Sequence, residues 1–303
     1  MTAAGNPAFD TAAAQPVSTG GRRLPLSWLG VVPFFVYVGI FLLLPTAIIL
    51  AGSLVASDGS ISLSNFADIA KPFMFKSFVN SVEISAVSAL VGAVLGAILA
   101  YVVATGNPQG LLRRIVMSAA GVFAQFGGVT LTFSWLATLY VGGTVYELLK
   151  ARGIDIFPGG TIWLLDLRGL TLIYLYFQIP LMVLVFIPAI DGIRPQWREA
   201  TESLGGSTWH YWRYVAGPLL MPSFLGCTLL LFANAFSAYA TAAALLTQGG
   251  VILPLQIQAL LTSETGSVAP GLAKALALAM IAVVLIVMSL YTALQRRTSA
   301  WLR

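Results

Sequence analysis

The chain has 303 residues, 58% of them hydrophobic and only 9% charged, with a net charge of +5 and a mean hydropathy of +0.89. Soluble domains contain about 45–50% apolar and about 25% charged residues, so this composition excludes a soluble globular protein and indicates an integral membrane protein. Because lipid offers the backbone no hydrogen-bond partner, the spans must be helices and the predicted fold is all-α.

The N-terminal residues 1–25 carry no periodic apolar pattern and are predicted to form a tail before the first span. Arg22 and Arg23 then precede an apolar run from about Leu26 to Val55. This run is much longer than the roughly 7–15 apolar residues of a signal peptide, so we interpret it as an uncleaved span. A twin-arginine export signal is the alternative, and the residues around Arg22 match it poorly.

Six apolar segments are long enough to cross the bilayer, since a span needs roughly 20 apolar residues. They cover residues 26–55, 78–104, 115–141, 170–190, 219–246 and 272–294. We therefore expect a six-span domain over residues 26–295, followed by a short tail over residues 296–303. The sequence contains no convincing internal repeat and no segment large enough to form a separate soluble domain.

The basic residues predict the orientation, because lysine and arginine are enriched in cytoplasmic loops. They stand singly or in pairs at the ends of apolar segments, which indicates membrane topology rather than nucleic-acid binding. With a cytoplasmic N-terminus, the inner side carries Arg22, Arg23, Arg113, Arg114, Arg194, Arg198, Arg213, Arg296, Arg297 and Arg303. The outer side then carries Lys71, Lys76, Lys150, Arg152, Arg168 and Lys274. Both termini and the loop between the fourth and fifth spans are therefore predicted to be cytoplasmic.

That loop, residues 192–218, is predicted to contain two short helices joined by a bend. Pro195 is preorganised for the first position of a helix. An apolar stripe with helical spacing follows and is formed by Trp197, Ala200 and Leu204. Gly205 and Gly206 interrupt this pattern and predict the bend.

The second short helix is expected to begin after Ser207, whose side chain can cap it. Its apolar face is formed by Trp209, Trp212 and Ala216. Gly217 and Pro218 are then expected to bend the chain back towards the membrane. This arrangement fits an amphipathic anchor with tryptophans among lipid headgroups, or a rigid knob that docks into a partner's groove. The sharp bend favours the knob.

The same loop resembles the EAA loop of type I permease subunits of binding-protein-dependent ABC importers. The residues of this series are Glu199, Ala200, Thr201, Leu204, Gly205, Gly206, Ser207, Val215, Pro218 and Pro222. Two residues depart from the pattern: Thr201 replaces the second alanine, and Gly217 replaces the hydrophobic residue that usually precedes the proline. The segments 177–190 and 233–250 also resemble the branch of this family that moves polyamines, ferric iron, thiamine and phosphonates. The likeness covers most of the chain from about Asn80 onward.

The resemblance implies that the loop is a coupling helix, docked into a cleft of a cytoplasmic ABC ATPase dimer. Glu199 would meet polar or basic groups of the ATPase, Ala200 would be small enough for the cleft, and Gly205 would supply the bend. The full coupling set would be Glu199, Ala200, Thr201, Leu204, Gly205, Gly206, Ser207 and Pro218.

Further expectations follow from the same resemblance. The chain would lie in the bacterial inner membrane, pair with a second, identical or similar permease, and receive its substrate from an extracytoplasmic binding protein. Spermidine and putrescine are the favoured cargo, and iron, thiamine and aminoethylphosphonate stay open. No cofactor is expected in this chain, because ATP and magnesium would bind the partner ATPase.

Several absences argue against other functions. Only four lysines occur, and none lies in a glycine-rich phosphate-binding loop, so the chain is not expected to be an ATPase or another enzyme. An intramembrane serine protease would need a histidine within a span, but His210, the one histidine, lies in the loop. A metal site is not expected either, since the single Cys227 is interpreted as a packing residue and no cluster of metal ligands is recognisable.

Polar residues within the predicted spans are candidates for the lining of a translocation pathway. The set is Glu83, Gln125, Thr130, Thr132, Gln178, Asn234 and Ser237. Packing of helices against one another is an equally open role for each, because uncharged polar groups contribute about 0.6–2 kcal/mol to helix contacts in membranes. Glu83 is the one acidic residue in a span, whereas a proton-coupled secondary transporter, the remaining alternative, usually has several ionisable residues there.

Overall fold

The computed structural model describes residues 27–55, 59–107, 109–246, 252–262 and 269–300. Over these residues the chain forms α-helices with short 3-10 and π segments, and no β-strand is present among them. The all-α fold class is therefore confirmed. The predicted N-terminal tail over residues 1–25 lies outside the described residues, as does part of the connection between the fifth and sixth spans.

The described residues fall into two compact units, the first of which ends at Ile48. It contains α1 (Ser27–Val38), a π turn (Gly39–Leu43) and the beginning of α2 (Leu44–Ser53). The N–H of Leu44 donates to the carbonyl of Gly39, five residues earlier. This wide turn precedes Pro45, which has no N–H to donate, and the chain remains helical past the proline, in α2.

The second unit begins at Ile49 and contains the end of α2 and twelve further α-helices. They are α3 (Ser64–Ile69), α4 (Pro72–Ala104), α5 (Leu111–Gln125), α6 (Gly128–Leu139), α7 (Thr144–Lys150), α8 (Leu167–Asp191), α9 (Pro195–Ser203), α10 (Thr208–Tyr211), α11 (Gly217–Phe236), α12 (Ala240–Leu245), α13 (Leu253–Thr262) and α14 (Pro270–Ala300). Two 3-10 turns, Pro158–Gly160 and Trp163–Leu165, lie between α7 and α8, and a π turn, Trp212–Ala216, joins α10 to α11.

The centre of this unit is the contact of α4 with α8 and α11, and α11 also packs along α14. The buried face of α4 consists of small residues, among them Ser81, Ser85, Ser88, Ala89, Gly92, Ala93, Gly96 and Ala100. Small residues let two helix backbones approach closely, which is how helices pack where lipid removes the hydrophobic drive for association. A Cβ on Gly96 would lie only 2.5 Å from the Cβ of Met182 on α8.

Six helical stretches among the described residues are long and apolar enough to cross a membrane. They are Gly30–Ser53, Pro72–Ala104, Gly128–Lys150, Leu167–Asp191, Thr208–Phe236 and Pro270–Leu294. The predicted number of six spans is confirmed, and the chain is a multi-pass membrane protein.

The third span differs from the prediction of one helix over residues 115–141. Two helices, α5 and α6, cover this region, and the chain is not helical at Phe126 and Gly127. Gly128 has a φ of +70°, a conformation that glycine adopts at little cost. Hydropathy does not detect this break, because the residues on both sides of it are apolar.

The fifth span was likewise predicted as one helix, over residues 219–246. It ends instead at Phe236, and the short helix α12 follows after an irregular stretch at residues 237–239. The predicted bend at Gly217 and Pro218 does not break the helix, because the chain stays helical from Thr208 to Phe236. The π turn before Pro218 explains this: the N–H of Gly217 donates to the carbonyl of Trp212, as in the turn before Pro45.

Candidate functional site

The loop between α8 and α11 is a compact helix, bend and helix. The first helix, α9, begins at Pro195 and ends at Ser203, and Leu204 and Gly205 form the bend. Gly205 has a φ of +78°. Its N–H donates to the carbonyl of Glu202 at 3.0 Å, and the next N–H, of Gly206, donates to Thr201 at 2.9 Å. These bonds satisfy the carbonyls at the end of α9 and hold the bend in one geometry.

Gly206 is needed for a different reason from Gly205. A Cβ there would lie 2.7 Å from the side chain of Thr201 and 2.9 Å from its carbonyl oxygen. The Thr201 hydroxyl is itself fixed, since it donates to the carbonyl of Trp197 at 2.8 Å. Each of the two glycines predicted to form the bend therefore has a distinct structural role.

The second short helix begins directly after Ser207, as predicted. The Ser207 hydroxyl lies 2.8 Å from Nδ1 of His210, and the N–H of Ser207 points to the same nitrogen at 3.4 Å. The sole histidine of the chain thus closes the first turn of α10. Nothing in this arrangement resembles a catalytic group, because the partners of His210 are those of a helix cap.

The surface of the loop carries exposed charged and exposed apolar side chains close together in the sequence. Glu199 and Ala200 are exposed on α9. Leu204 is 89% exposed and Trp209 is 69% exposed, on opposite sides of the Gly205 bend. The predicted apolar stripe of α9 is therefore divided, since Trp197 is half-buried but Ala200 and Leu204 face outward. An exposed apolar pair beside a fixed bend is the kind of surface that contacts a partner or lipid.

An ion pair joins the beginning of α5 to the end of α8, directly before the loop. Nη1 of Arg113 lies 3.2 Å from Oδ1 of Asp191, and Nη2 donates to Oδ2. The hydrogen bond with Asp191 raises the pKa of the Arg113 guanidinium above its ordinary value. The sequence analysis did not predict this pair, because its two members are 78 residues apart.

A second candidate region lies where the two broken spans meet. The N–H of Gly128, at the beginning of α6, donates to the hydroxyl of Thr241 on α12 at 2.9 Å. The hydroxyl of Thr132 donates to the carbonyl of Thr241 at 3.1 Å. Two hydrogen bonds thus join α6 to α12, next to the non-helical residues 126–127 and 237–239.

Beside these breaks is an open cavity of about 280 Å³. It is lined by Ala124, Gly127, Gly128, Phe177, Asn234, Ser237, Ala238, Tyr239, Ala240 and Thr241. Asn234 and Ser237, two of the predicted pathway residues, line it. The Ser237 hydroxyl donates to the carbonyl of Ala233 at 2.9 Å. The Asn234 side chain is exposed, so its amide is available to a solute in the cavity.

The other predicted pathway residues lie elsewhere. Gln125 ends α5 next to Ala124 of the cavity, and Thr130 is exposed on α6. Thr132 and Gln178 are fully buried. Gln178 donates from Nε2 to the hydroxyl of Ser88 across the α4–α8 contact at 2.8 Å, so it joins two helices.

Glu83 is exposed on the face of α4 opposite the small residues that pack against α8. In the sequence it lies between Ser81 and Ser85. These two serines line a second, smaller pocket together with Ala238, which also lines the cavity. Glu83 itself is not one of the residues that line the cavity.

Comparison with known proteins identifies relatives over 43–75% of the chain, although no family model matches it. The spermidine/putrescine transport system permease protein PotB of Haemophilus influenzae is 24% identical over 205 residues, which cover 65% of this chain and 70% of PotB. The trehalose transport system permease protein SugB of Mycobacterium tuberculosis is 26% identical over 235 residues, covering 75% and 77%. The thiamine transport system permease protein ThiP of Escherichia coli is 24% identical over 131 residues, covering 43% of this chain and 21% of ThiP.

Solved structures show the same fold. A bacterial ABC transporter that imports alginate has a TM-score of 0.66 at 15% identity, over 91% of this chain and 95% of that chain. A bacterial alginate ABC transporter in complex with a periplasmic protein that holds an alginate pentasaccharide has a TM-score of 0.67 at 16% identity, over 90% and 94%.

In sequence the chain resembles permease proteins of three transport systems, at 24–26% identity, and in fold it resembles bacterial ABC importers. This confirms the resemblance drawn from the loop. The three relatives act in systems for a polyamine, a sugar and a vitamin, so the resemblance leaves the cargo open.

Proposed function

We propose that this chain forms one half of the translocation pathway of an ATP-driven importer, and that the loop over residues 192–218 couples it to a separate ATPase. The observation that carries the proposal is the fixed bend at Gly205 with Leu204 and Trp209 exposed beside it. Such a surface fits a groove on a partner, and Glu199 on the same loop adds a charge for specificity.

A plain membrane anchor is the competing role for this loop. An anchor would place Trp209 and Leu204 among lipid headgroups, which the exposure of both side chains also allows. A membrane anchor would not need a bend at Gly205 that two backbone hydrogen bonds fix. It would also not need Glu199 and Ala200 to be exposed next to that bend. The relatives, all permeases of transport systems, favour coupling over anchoring.

The mechanism proposed is alternating access. Closure of the ATPase dimer on ATP and magnesium, which bind the ATPase and not this chain, draws the loops of two permeases together and opens the pathway outward. Hydrolysis and release reset it. A ligand shifts such an equilibrium only by its differential affinity for the two states, and ATP supplies that difference here. The coupling set is Glu199, Ala200, Thr201, Leu204, Gly205, Gly206, Ser207 and Pro218.

The geometry gives the predicted pathway residues unequal roles in this proposal. Asn234 and Ser237 line the cavity and are assigned to the pathway, and Gln125 and Thr130, which do not line it, are not. Thr132 and Gln178 are assigned to helix packing, because both are buried and bonded to another helix.

The proposed assembly has a second permease, identical or similar, beside this chain and a binding protein at the outer face. The chain lies in the inner membrane with both termini and the loop in the cytoplasm. The excess of basic residues at that side supports this orientation.

For the cargo we propose a polyamine, spermidine or putrescine, supported by the likeness to PotB. The test is ATP hydrolysis by the reconstituted complex with its binding protein. Micromolar spermidine or putrescine is expected to stimulate hydrolysis, and thiamine and trehalose are the matched controls. Stimulation by thiamine or trehalose alone would contradict the polyamine while leaving the importer intact. Hydrolysis that none of these four solutes stimulates, in a complex that retains its ATPase, would also contradict the polyamine.

A further inference from the structure

The ion pair between Arg113 and Asp191 differs from the other ion pairs among the described residues. Those two join neighbours three and four positions apart in the sequence. Arg113 and Asp191 instead join two helices, α5 and α8, through a fork of two hydrogen bonds. A bidentate arginine–carboxylate pair fixes direction as well as distance, since both partners are planar.

Asp191 is the residue of the α8 span that lies next to the loop in the sequence, so a movement of the loop would reach α8 there first. It is the last residue of α8, and only Gly192, Ile193 and Arg194 separate it from α9. Ile193 packs against the same apolar cluster as Phe186 and Ile187 of α8. The connection between α8 and α9 is therefore short and is fixed by packing.

Helix α5 connects Arg113, near its beginning, to the wall of the cavity, near its end. Arg113 lies in the first turn of α5, which is 15 residues and therefore about 22 Å long. The last turn of α5 contributes Ala124 to the cavity, and the break at Gly127 follows directly. Between these ends α5 packs on α8 through apolar side chains, which resist sliding less than a directional hydrogen bond does.

We propose that the Arg113–Asp191 pair is a positioning link, which carries movement of the loop over residues 192–218 to α5 and so to the wall of the pathway. The inference rests on the proposed function. Coupling between distant sites can travel through contiguous helices and ion pairs, and the loop, the ion pair and α5 form a contiguous series. Neither residue touches the cavity, so each acts through α5.

The chain offers matched variants for the test. The Arg113 and Asp191 side chains are 20% and 40% exposed, so their replacement leaves no fully buried charge. Arg113→Lys keeps the charge but loses the fork. Exchanging the partners, Arg113→Asp with Asp191→Arg, restores opposite charges at the same site. Arg114, the exposed neighbour, forms no ion pair with the described residues, so Arg114→Ala is the control.

The reporter is a cysteine at Ala124, in a Cys227→Ala background, within the complex that the chain forms with its co-purifying ATPase. Its rate of reaction with a water-soluble maleimide is measured without nucleotide and with ATP and vanadate. We expect the nucleotide to change this rate about fivefold or more in the reporter protein and in Arg114→Ala. Arg113→Ala and Arg113→Lys should lose the change while retaining the ATPase, and the charge exchange should restore part of it.

The outcomes separate this inference from the proposed function. A full nucleotide response in Arg113→Ala, with normal ATPase content, would overturn the link and leave the importer standing. The link would also be overturned if the charge exchange did not restore the nucleotide response and Arg114→Ala lost it. The response would then depend on the positive charge of this region and not on the ion pair. A reporter protein that binds its ATPase but never responds to nucleotide would overturn the proposed function and the link with it.

Discussion

At Gly96, α4 and α8 approach so closely that there is room for a hydrogen atom but not for a Cβ. A Cβ at this position would lie 2.5 Å from the Cβ of Met182 and 2.8 Å from the carbonyl oxygen of Ile179. Both neighbours belong to α8, so only a shift of the whole helix relieves the contact. Gly121 on α5 is also a helical glycine, but a Cβ there has no neighbour within 4 Å.

The two glycines give a matched pair of alanine substitutions. Gly96→Ala is expected to destabilise the protein by about 1–3 kcal/mol, the cost of overpacking a close contact. Gly121→Ala should be neutral or stabilise by up to about 1 kcal/mol, because alanine favours the helix. The measurement is the thermal unfolding midpoint in detergent. Equal midpoints for both variants would mean that α4 and α8 do not approach as closely as described.

At the scale of the element, local pattern predicted the loop well and the broken spans poorly. The bend at Gly205 and the helix after Ser207 follow from local rules for glycine and capping residues, and both are present. The break after α5 depends on a partner 113 residues away, the Thr241 hydroxyl that receives the N–H of Gly128. No window of hydropathy contains that information, although two adjacent glycines inside an apolar segment are a sign of a break.

The same reasoning explains which site residues were missed. Asn234 and Ser237 were recognised because they are polar residues in an apolar span. The Arg113–Asp191 pair was not, because each charge stands at a helix end, where charges are ordinary, and its partner is fixed only by the tertiary fold. The proline-associated π turn at Trp212–Ala216 was also missed, since proline after glycine is more often a sign of a bend.

At the scale of the whole molecule, the proposed orientation has a direct consequence. The loop between α8 and α11 and the connection between α7 and α8 lie at opposite ends of α8, whose 25 residues span about 37 Å. Thr208 and Thr161 are exposed positions in these two regions. In a Cys227→Ala background, Thr208→Cys should resist a membrane-impermeant maleimide in intact cells, and Thr161→Cys should react. Reaction of Thr208→Cys, with no reaction of Thr161→Cys, would contradict the proposed topology and indicate the reverse one.

The central claim is that the loop over residues 192–218 couples this chain to an ATPase, and one pair of variants tests it most directly. Gly205 and Gly153 have φ angles of +78° and +79°, and a Cβ on either has no neighbour within 4 Å. Valine therefore introduces the same backbone strain of roughly 1 kcal/mol or more at both positions. Only Gly205 lies in the loop.

The measurement is the amount of ATPase that co-purifies with each variant, and its hydrolysis of ATP, at equal abundance in the membrane. Gly205→Val is expected to lose the ATPase or its stimulation by loaded binding protein, because the bend would be displaced. Gly153→Val should retain both. Equal ATPase content and equal stimulation in the two variants, with activity lost instead when Trp209 is replaced by serine, would contradict coupling and indicate a membrane anchor.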